Sequence, residues 1–152
     1  MKKILFVCTG NSCRSVMAEG LFKKMTQDRG NEFETSSAGI SAIDGLPASP
    51  GTVKVMAAEG VDVSGHRSQR LKAELVRASD KIFVMEKMHK DWILRFMPEA
   101  EDKVFLLTEY HTSDYGSAGE FDIPDPIQMS DNFYQNVLSV IRDCVIKIVE
   151  SL

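Results

Sequence analysis

The sequence predicts an α/β fold in which a doubly wound, four-stranded parallel sheet carries helices on both faces. Two observations predict it. Short buried apolar runs alternate with helical patterns along the chain, and a length of 152 residues with 43% hydrophobic residues suits one compact core. Strands that are separated by helices favour parallel pairing, because a parallel connection needs a crossover that a helix usually provides. We therefore expect a single flavodoxin-like or Rossmann-like domain that spans residues 1–152.

The first half of the chain predicts two strands and two helices. Apolar residues 3–7 form a buried strand, and apolar side chains recur at helical spacing through residues 16–29. Residues 33–37 form a second short strand. Residues 50–59 form a helix, because proline stands at the start of this segment and glycine follows its end.

The second half predicts two more strands and three more helices. A shorter helix precedes each of the two remaining strands, and a long helix with one apolar stripe ends the chain. The predicted helices are residues 71–76, 88–96 and about 131–152, and the predicted strands are residues 81–85 and 103–107.

Composition excludes several classes of function. The net charge is −4, and lysines and arginines are spread among acidic residues, so a nucleic-acid partner is not expected. No apolar stretch approaches the roughly 18 residues that span a bilayer, and the start lacks a signal-peptide core. We expect a cytoplasmic protein without a membrane partner. Because Cys8, Cys13 and Cys144 are an odd number, a reactive thiol is a better interpretation than a disulfide framework.

The segment "CTGNSCRS", residues 8–15, connects the first strand to the first helix. Backbone N–H groups in such a turn can surround an anion above a helix N-terminus. Gly10 and Asn11 tolerate the positive φ angles that this requires, and Arg14 can grip a phosphate with two N–H groups. We therefore predict a loop that binds phosphate or another oxyanion. Besides Arg14, its residues are Thr9, Gly10, Asn11, Ser12, Cys13 and Ser15.

Cys8 lies at the floor of this predicted loop. The positive environment that binds a dianion also stabilises a thiolate, and the Ser15 hydroxyl can add a hydrogen bond to the sulfur. A phosphate in the loop would then face an in-line nucleophile. Cys8 is therefore the candidate nucleophile.

Metal and nucleotide cofactors are not predicted. His66, His89 and His111 are scattered along the chain, and no cysteine pair has zinc-ligand spacing. The chain contains neither G-x-x-x-x-G-K-[ST] nor G-x-G-x-x-G. We expect a reaction without a cofactor.

Catalysis by a thiolate on phosphorus needs an acid that protonates the leaving group. Residues 111–128 form an acidic segment that is rich in glycine and serine. Asp125 stands between two prolines, which restrict its backbone on both sides. Asp125 is therefore the preferred general acid, with Asp114 and Asp122 as alternatives.

Four segments carry a resemblance to a known family. They are "VCTGNSCRSVMAE" from position 7, "SSAG" from position 36, "GHRSQRL" from position 65 and "DP" at position 125. The chain is similar to the low-molecular-weight protein tyrosine phosphatases over almost its whole length. The resemblance implies that Cys8 forms a phosphocysteine, that Arg14 clamps the phosphate, and that Asp125 acts first as general acid and then as base for water. Phosphorylated proteins are the implied partners.

The resemblance also implies supporting residues. In this family the loop asparagine is held by a serine and a histidine from neighbouring loops. Here these residues are Asn11, Ser37 and His66.

Two positions depart from the tyrosine-specific pattern. Those members generally carry a bulky aliphatic residue at the position of Ser12 and aromatic residues after the Asp-Pro pair, whereas this chain has Ser12 and Ile127. Both residues are similar to the bacterial protein arginine phosphatases of the same family. Phosphotyrosine and phosphoarginine both stay open as substrates, since Tyr110 or Tyr115 could supply an aromatic wall instead.

Other classes with a similar cysteine loop remain as alternatives. An arsenate reductase needs further redox cysteines in a mobile segment, and residues 70–97 contain none. A phosphocysteine carrier should hold phosphate without hydrolysing it, and a phosphopeptide-binding module needs no nucleophile. An arginine and a positioned acid beside Cys8 favour the hydrolase.

Cys13 has two interpretations. It fills the loop as a small residue, or it serves as a redox partner of Cys8, because both sulfurs belong to one tight loop. In the second case peroxide would oxidise Cys8 to a sulfenic acid, which Cys13 would capture as a disulfide.

Overall fold

Four parallel strands form the centre of the protein in a computed structural model that describes residues 1–110 and 121–152. The strands are β1 (Lys2–Cys8), β2 (Phe33–Gly39), β3 (Lys81–Val84) and β4 (Val104–Leu106), in the spatial order β2-β1-β3-β4. Every neighbouring pair is parallel. The predicted fold class, a single α/β domain with a four-stranded parallel sheet, is confirmed.

Five α-helices and three short 3₁₀ turns surround the sheet in the described residues. The helices are α1 (Arg14–Met25), α2 (Pro50–Ala58), α3 (Ala73–Ala78), α4 (Lys87–Phe96) and α5 (Asp131–Ser151). The 3₁₀ turns are Gln27–Arg29, Pro98–Lys103 and Leu107–Tyr110.

Both faces of the sheet are covered, because side chains of β1 alternate between two apolar clusters. Ile4 and Phe6 pack with buried residues of α1, α2 and α5. Leu5 and Val7 pack on the opposite face with residues of α3 and α4. Burial on both faces explains why this strand is an uninterrupted apolar run instead of an alternating one.

Element boundaries differ from the predicted ones by one to a few residues. The helix predicted over residues 16–29 begins earlier, at Arg14, and ends at Met25, before the turn Gln27–Arg29. Thr26 ends it by donating its hydroxyl to the Phe22 carbonyl at 2.7 Å, and Gly30 follows with φ 61°. The early start matters for the site, because the arginine of the loop is the first residue of α1.

The carboxyl ends of β1 and β2 meet at one edge of the sheet, where Cys8 pairs with Gly39. A Cβ atom at Gly39 would lie 2.5 Å from the Thr9 carbonyl oxygen and 2.8 Å from the Asn11 nitrogen. Both neighbours are backbone atoms, so a side chain would push the loop after β1 away from β2. Glycine at this position lets the two chain segments pack closely.

No helix within the described parts of the chain is long and apolar enough to cross a bilayer.

Candidate active site

The loop after β1 surrounds the Cys8 sulfur with donors. The Asn11 N–H donates to Cys8 Sγ at 3.3 Å, and Ser15 Oγ lies 2.9 Å from the same sulfur. Because Ser15 Oγ already accepts from the Asn11 amide at 2.8 Å, its own hydrogen is available for the sulfur. Cys8 is buried at the N-terminal end of α1. The sulfur therefore lies where two hydrogen-bond donors of the loop converge.

Asn11 holds the loop in a left-handed conformation, with φ 54° and no exposed surface. Its amide nitrogen also donates to Ser37 Oγ at 2.9 Å, and its amide oxygen accepts from the Gln69 N–H at 2.9 Å. His66 Nε2 lies 2.8 Å from the Asn11 carbonyl oxygen and must donate to it. The structure thus brings Ser37 and His66 to the asparagine.

A carboxylate extends this set of contacts. Ser37 Oγ donates its single hydrogen to Glu19 Oε1 at 2.6 Å, so towards the Asn11 amide it is an acceptor. Glu19 was not among the predicted site residues, although it lies within the quoted "VCTGNSCRSVMAE" segment and on α1. The hydrogen-bond direction therefore runs from Asn11 through Ser37 to Glu19.

Arg14 is almost completely buried, with 1% of its surface exposed. Nη1 donates to Glu86 Oε2 and to the Ile123 carbonyl, both at 2.6 Å. Nη2 lies 3.4 Å from Thr9 Oγ1 and 3.8 Å from Asp125 Oδ2. Among the described residues, no group accepts a hydrogen bond from Arg14 Nε. An unpaired buried donor costs about 1–3 kcal/mol, and an anion in the loop would remove that cost.

Glu86 and His89 are site residues that sequence reasoning missed. They follow β3 at the start of α4, where the Glu86 side chain accepts from the His89 backbone and the His89 side chain accepts from the Glu86 backbone. The sequence analysis considered His89 only as a metal ligand. The available signal was a capping-box spacing directly after a buried strand, at the same sheet edge as Cys8.

His89 has no exposed surface and contacts the loop through Thr9. His89 Nδ1 accepts the Glu86 N–H at 3.0 Å, and Nε2 lies 2.9 Å from Thr9 Oγ1. Burial, reinforced by the charge of Arg14, lowers the pKa of His89 to about 4 despite the opposing charges of Asp122 and Asp125. His89 is therefore a neutral imidazole near neutral pH.

The candidate acids occupy different environments. Asp125 is 42% exposed at its side chain, and its Oδ1 accepts the Ile127 N–H at 3.1 Å. Asp122 Oδ1 accepts the Lys87 N–H at 2.8 Å and so holds the start of α4. Asp114 lies outside the described residues. The structure thus brings Asp125, but not Asp122, into an ion-pair distance of Arg14.

The residues considered for the substrate wall differ in their exposure and surroundings. Ser12 is half-buried, Gly10 is exposed, and Ile127 is exposed at 44%. Tyr110 packs edge-on against Phe83, with ring centroids 5.6 Å apart, so its ring belongs to the apolar core. Tyr115 and His111 lie outside the described residues.

Cys13 is buried within the loop. Its Sγ lies 3.1 Å from Ser49 Oγ and 3.7 Å from the Tyr134 hydroxyl. All three cysteines are free. Burial raises the pKa of Cys144 on α5 to about 12, which makes this thiol unreactive.

Together, these contacts place the Cys8 sulfur, the buried Arg14 cation and the partly exposed Asp125 carboxylate in and beside one loop. Such a set can attack phosphorus, stabilise its charged oxygens and protonate a leaving group. Among the described residues, no group of three or more histidine, cysteine or acidic side chains could hold a metal ion.

The lowered pKa of His89 predicts a specific pH dependence of stability. The unfolded ring takes up a proton near pH 6.5 and the folded ring only near pH 4, so the unfolded state binds more protons between these values. Stability should therefore fall as the pH drops from 6.5 towards 4. The free energy of unfolding, measured with urea, should fall between pH 7 and pH 4.5. This fall should be about 2–3 kcal/mol smaller in His89→Asn than in the wild type. Parallel pH curves for the two proteins would contradict this assignment.

Comparison with known proteins identifies relatives over the whole chain. The family model "Low molecular weight phosphotyrosine protein phosphatase" matches residues 3–152. A probable low molecular weight protein-tyrosine-phosphatase, EpsP of Ralstonia nicotianae, is 37% identical over 93% of this chain and 90% of its own. A protein-arginine-phosphatase of Bacillus subtilis is 33% identical over 98% of this chain and 95% of its own.

Solved structures lead to the same family. A low molecular weight protein tyrosine phosphatase from T. tengcongensis superposes with a TM-score of 0.90 at 35% identity and covers 100% of both chains. A cysteine-to-serine variant of an arginine phosphatase, with a phosphorylated active-site serine, has a TM-score of 0.89 at 31% identity and covers 99% of this chain and 95% of its own. The chain therefore belongs to the low molecular weight phosphotyrosine protein phosphatase family and is a protein phosphatase.

Proposed function

We propose that this protein hydrolyses phosphorylated side chains of proteins through a phosphocysteine on Cys8. One observation carries the proposal: the buried Arg14 guanidinium has an unpaired Nε beside a loop whose cysteine sulfur accepts hydrogen bonds. A phosphate dianion satisfies this donor and lies within reach of the sulfur. The phosphorylated active-site serine of the cysteine-to-serine arginine phosphatase variant supports a covalent phosphoenzyme intermediate.

In the first step, the Cys8 thiolate attacks phosphorus in line with the leaving group. The S–P bond forms while the P–O or P–N bond to the substrate breaks, and Asp125 supplies the proton to the departing atom. Arg14 and the backbone N–H groups of residues 9–15 stabilise the charge on the equatorial oxygens. The exposed position of Asp125 at the mouth suits contact with a leaving group.

In the second step, water attacks the phosphocysteine. The Asp125 carboxylate takes a proton from this water, the S–P bond breaks, and phosphate leaves. The Asn11 N–H and the Ser15 hydroxyl stabilise the departing thiolate. The same two donors therefore serve both steps.

The leaving group is a phenol or a guanidinium, and we propose that Ser12 and Ile127 favour the guanidinium. Ser12 has a small side chain, so it gives little apolar surface for a phenyl ring. Ile127, the residue after the Asp-Pro pair, offers an exposed aliphatic side chain instead of an aromatic one. Relatives of both substrate classes cover nearly the whole chain.

The nucleophile can be tested by alkylation. Iodoacetate at pH 6.5 should modify Cys8 first, because the thiolate is the reactive form. Inorganic phosphate should block the reaction, and Cys144 serves as an internal control, since its pKa of about 12 keeps it protonated. Mass spectrometry would follow each thiol, and p-nitrophenyl phosphate would report turnover.

Cys8→Ser should abolish this turnover and leave phosphate binding largely intact. Equal alkylation rates at Cys8 and Cys144 in the native protein would refute the nucleophile assignment. A single stoichiometric release of nitrophenol without turnover would indicate a phosphocysteine carrier, and no release at all would favour a phosphate-binding module or a reductase.

The acid can be tested with leaving groups of different basicity. Asp125→Asn should lower kcat by roughly a hundred- to ten-thousand-fold for phenyl phosphate, because general acid catalysis contributes about this much. The loss should be smaller for p-nitrophenyl phosphate, whose leaving group needs a proton less. Asp122→Asn is the matched control, and Asp114→Asn tests the remaining alternative. A larger loss in either of these variants would reassign the acid.

Substrate choice can be tested at Ser12. Ser12→Ile should add an apolar wall that favours a phenyl ring and crowds a guanidinium. The ratio of kcat/KM for phosphotyrosine over phosphoarginine peptides should therefore rise by about 5- to 150-fold, which corresponds to about 1–3 kcal/mol. Both peptides should share one flanking sequence. An unchanged ratio would show that Ser12 does not set specificity.

We also propose that Cys13 protects Cys8 from oxidation. The Cys8 thiolate would take one oxygen from hydrogen peroxide and one proton from solvent, which gives a sulfenic acid and releases water. The Cys13 thiol would then attack the sulfenic sulfur, which forms the disulfide and releases the sulfenic oxygen as a second water. Cys13 would first have to leave its contacts with Ser49 and Tyr134. Peptide mapping should find a Cys8–Cys13 disulfide and recovery with thiol reductants, whereas Cys13→Ser should be inactivated irreversibly. Sulfinic Cys8 beside free Cys13 in the wild type would overturn the proposal.

A further inference from the structure

We propose that His89 is a positioning residue of this phosphatase: its neutral imidazole holds the Thr9 hydroxyl beside Arg14, and so orients both groups towards the bound phosphate. The inference rests on the proposed function of the loop. His89 lies 80 residues from Thr9 in the sequence and reaches it from the first turn of α4 at 2.9 Å. Each ring nitrogen therefore has a hydrogen-bond partner within the protein.

The backbone fixes which ring nitrogen carries the hydrogen. The Glu86 N–H donates to His89 Nδ1 at 3.0 Å, so Nδ1 must present its lone pair. A neutral ring then carries its hydrogen on Nε2. His89 is therefore a donor to Thr9 Oγ1, and the direction of this hydrogen bond is set by the start of α4.

This donor determines what the Thr9 hydroxyl can do. Oγ1 accepts from His89 Nε2 and lies 3.4 Å from Arg14 Nη2, which is also a donor. With both neighbours donating, the hydroxyl hydrogen is available to an acceptor. Substrate phosphate oxygens are acceptors only, so the fixed hydroxyl is suited to the bound anion.

Arg14 depends on the same pair of residues for its second amino group. Glu86 and the Ile123 carbonyl hold Nη1, whereas Nη2 has only Thr9 and the more distant Asp125 within reach among the described residues. Without Thr9 held in place, the guanidinium could rotate about the Nη1 contacts. The unpaired Nε would rotate with it.

Charge explains why a neutral ring suits this position. A cationic imidazole would have no exposed surface and would lie against the Arg14 cation, and these two effects lower its pKa to about 4. The acidic groups around it are Glu86, with Oε2 3.7 Å from Nε2, and Asp122 and Asp125. The charges of Asp122 and Asp125 oppose the shift without reversing it, so His89 is neutral near neutral pH and donates to Thr9.

The test compares two substitutions that remove opposite ends of one hydrogen bond. In His89→Asn the amide oxygen can still accept the Glu86 N–H, but no group reaches Thr9. Thr9→Val removes only the hydroxyl. Thr26→Val is the matched control, because it removes a buried hydroxyl at the other end of α1.

The measurements are kcat and KM for p-nitrophenyl phosphate and the competitive inhibition constants of orthovanadate and inorganic phosphate. Both variants should lose about 10- to 100-fold in kcat/KM, since a misplacement near 1 Å costs about this much. Vanadate, a pentacoordinate transition-state analogue, should lose affinity in proportion, and phosphate should lose less. The double variant should be no worse than either single one. Thr26→Val should change only the urea midpoint.

The proposal would be overturned if folded His89→Asn kept the wild-type kcat/KM and vanadate affinity. It would also be overturned if the losses of the two single variants multiplied in the double variant. If His89→Asn does not fold, Thr9→Val decides alone: a wild-type kcat/KM in that variant overturns the proposal. A wild-type protein without turnover, or with turnover that Cys8→Ser retains, would instead refute the proposed function itself.

Discussion

The buried amide of Asn11 is the interaction on which the rest of the loop depends. Its φ of 54° is unfavourable for most residues, and hydrogen bonds to Ser15, Ser37 and Gln69 hold it there. These partners belong to α1, β2 and the segment before α3. Only this conformation points the Asn11 N–H at the Cys8 sulfur. The geometry around the sulfur is therefore fixed by the packing of three separate chain segments.

A second constraint follows from burying a cation. Taking Arg14 out of water is costly unless it is paired and hydrogen-bonded, and Glu86 and the Ile123 carbonyl supply these partners on one side of the guanidinium. The other side keeps an unpaired Nε. Full compensation by protein groups would stabilise the empty protein but leave no donor for an anion. Glu86 and the Ile123 carbonyl therefore hold the guanidinium in place, while its unpaired Nε could still donate a hydrogen bond to an anion.

The fold and the local part of the site were predictable from sequence, whereas the long-range partners were not. Strand and helix patterns predicted every α-helix and strand of the described residues, and the eight residues from Cys8 to Ser15 cover the end of β1, the connecting loop and the start of α1. Glu86 and His89 act on that loop from more than 70 residues away. No periodicity links such positions, because only the β1–β3 pairing brings them together.

The residues proposed to select the substrate are harder to assess from sequence, because they have few structural constraints. Asn11 and Arg14 are buried and each makes several hydrogen bonds, so any substitution there disrupts the buried contacts of the loop. Ser12 is only half-buried, and Ile127 is exposed. Substitutions at these two positions would leave the buried hydrogen bonds intact. Under the proposal that Ser12 and Ile127 meet the leaving group, the residues that bind phosphate and those that select its carrier are separate, which would let one loop serve both the tyrosine and the arginine phosphatases among the relatives.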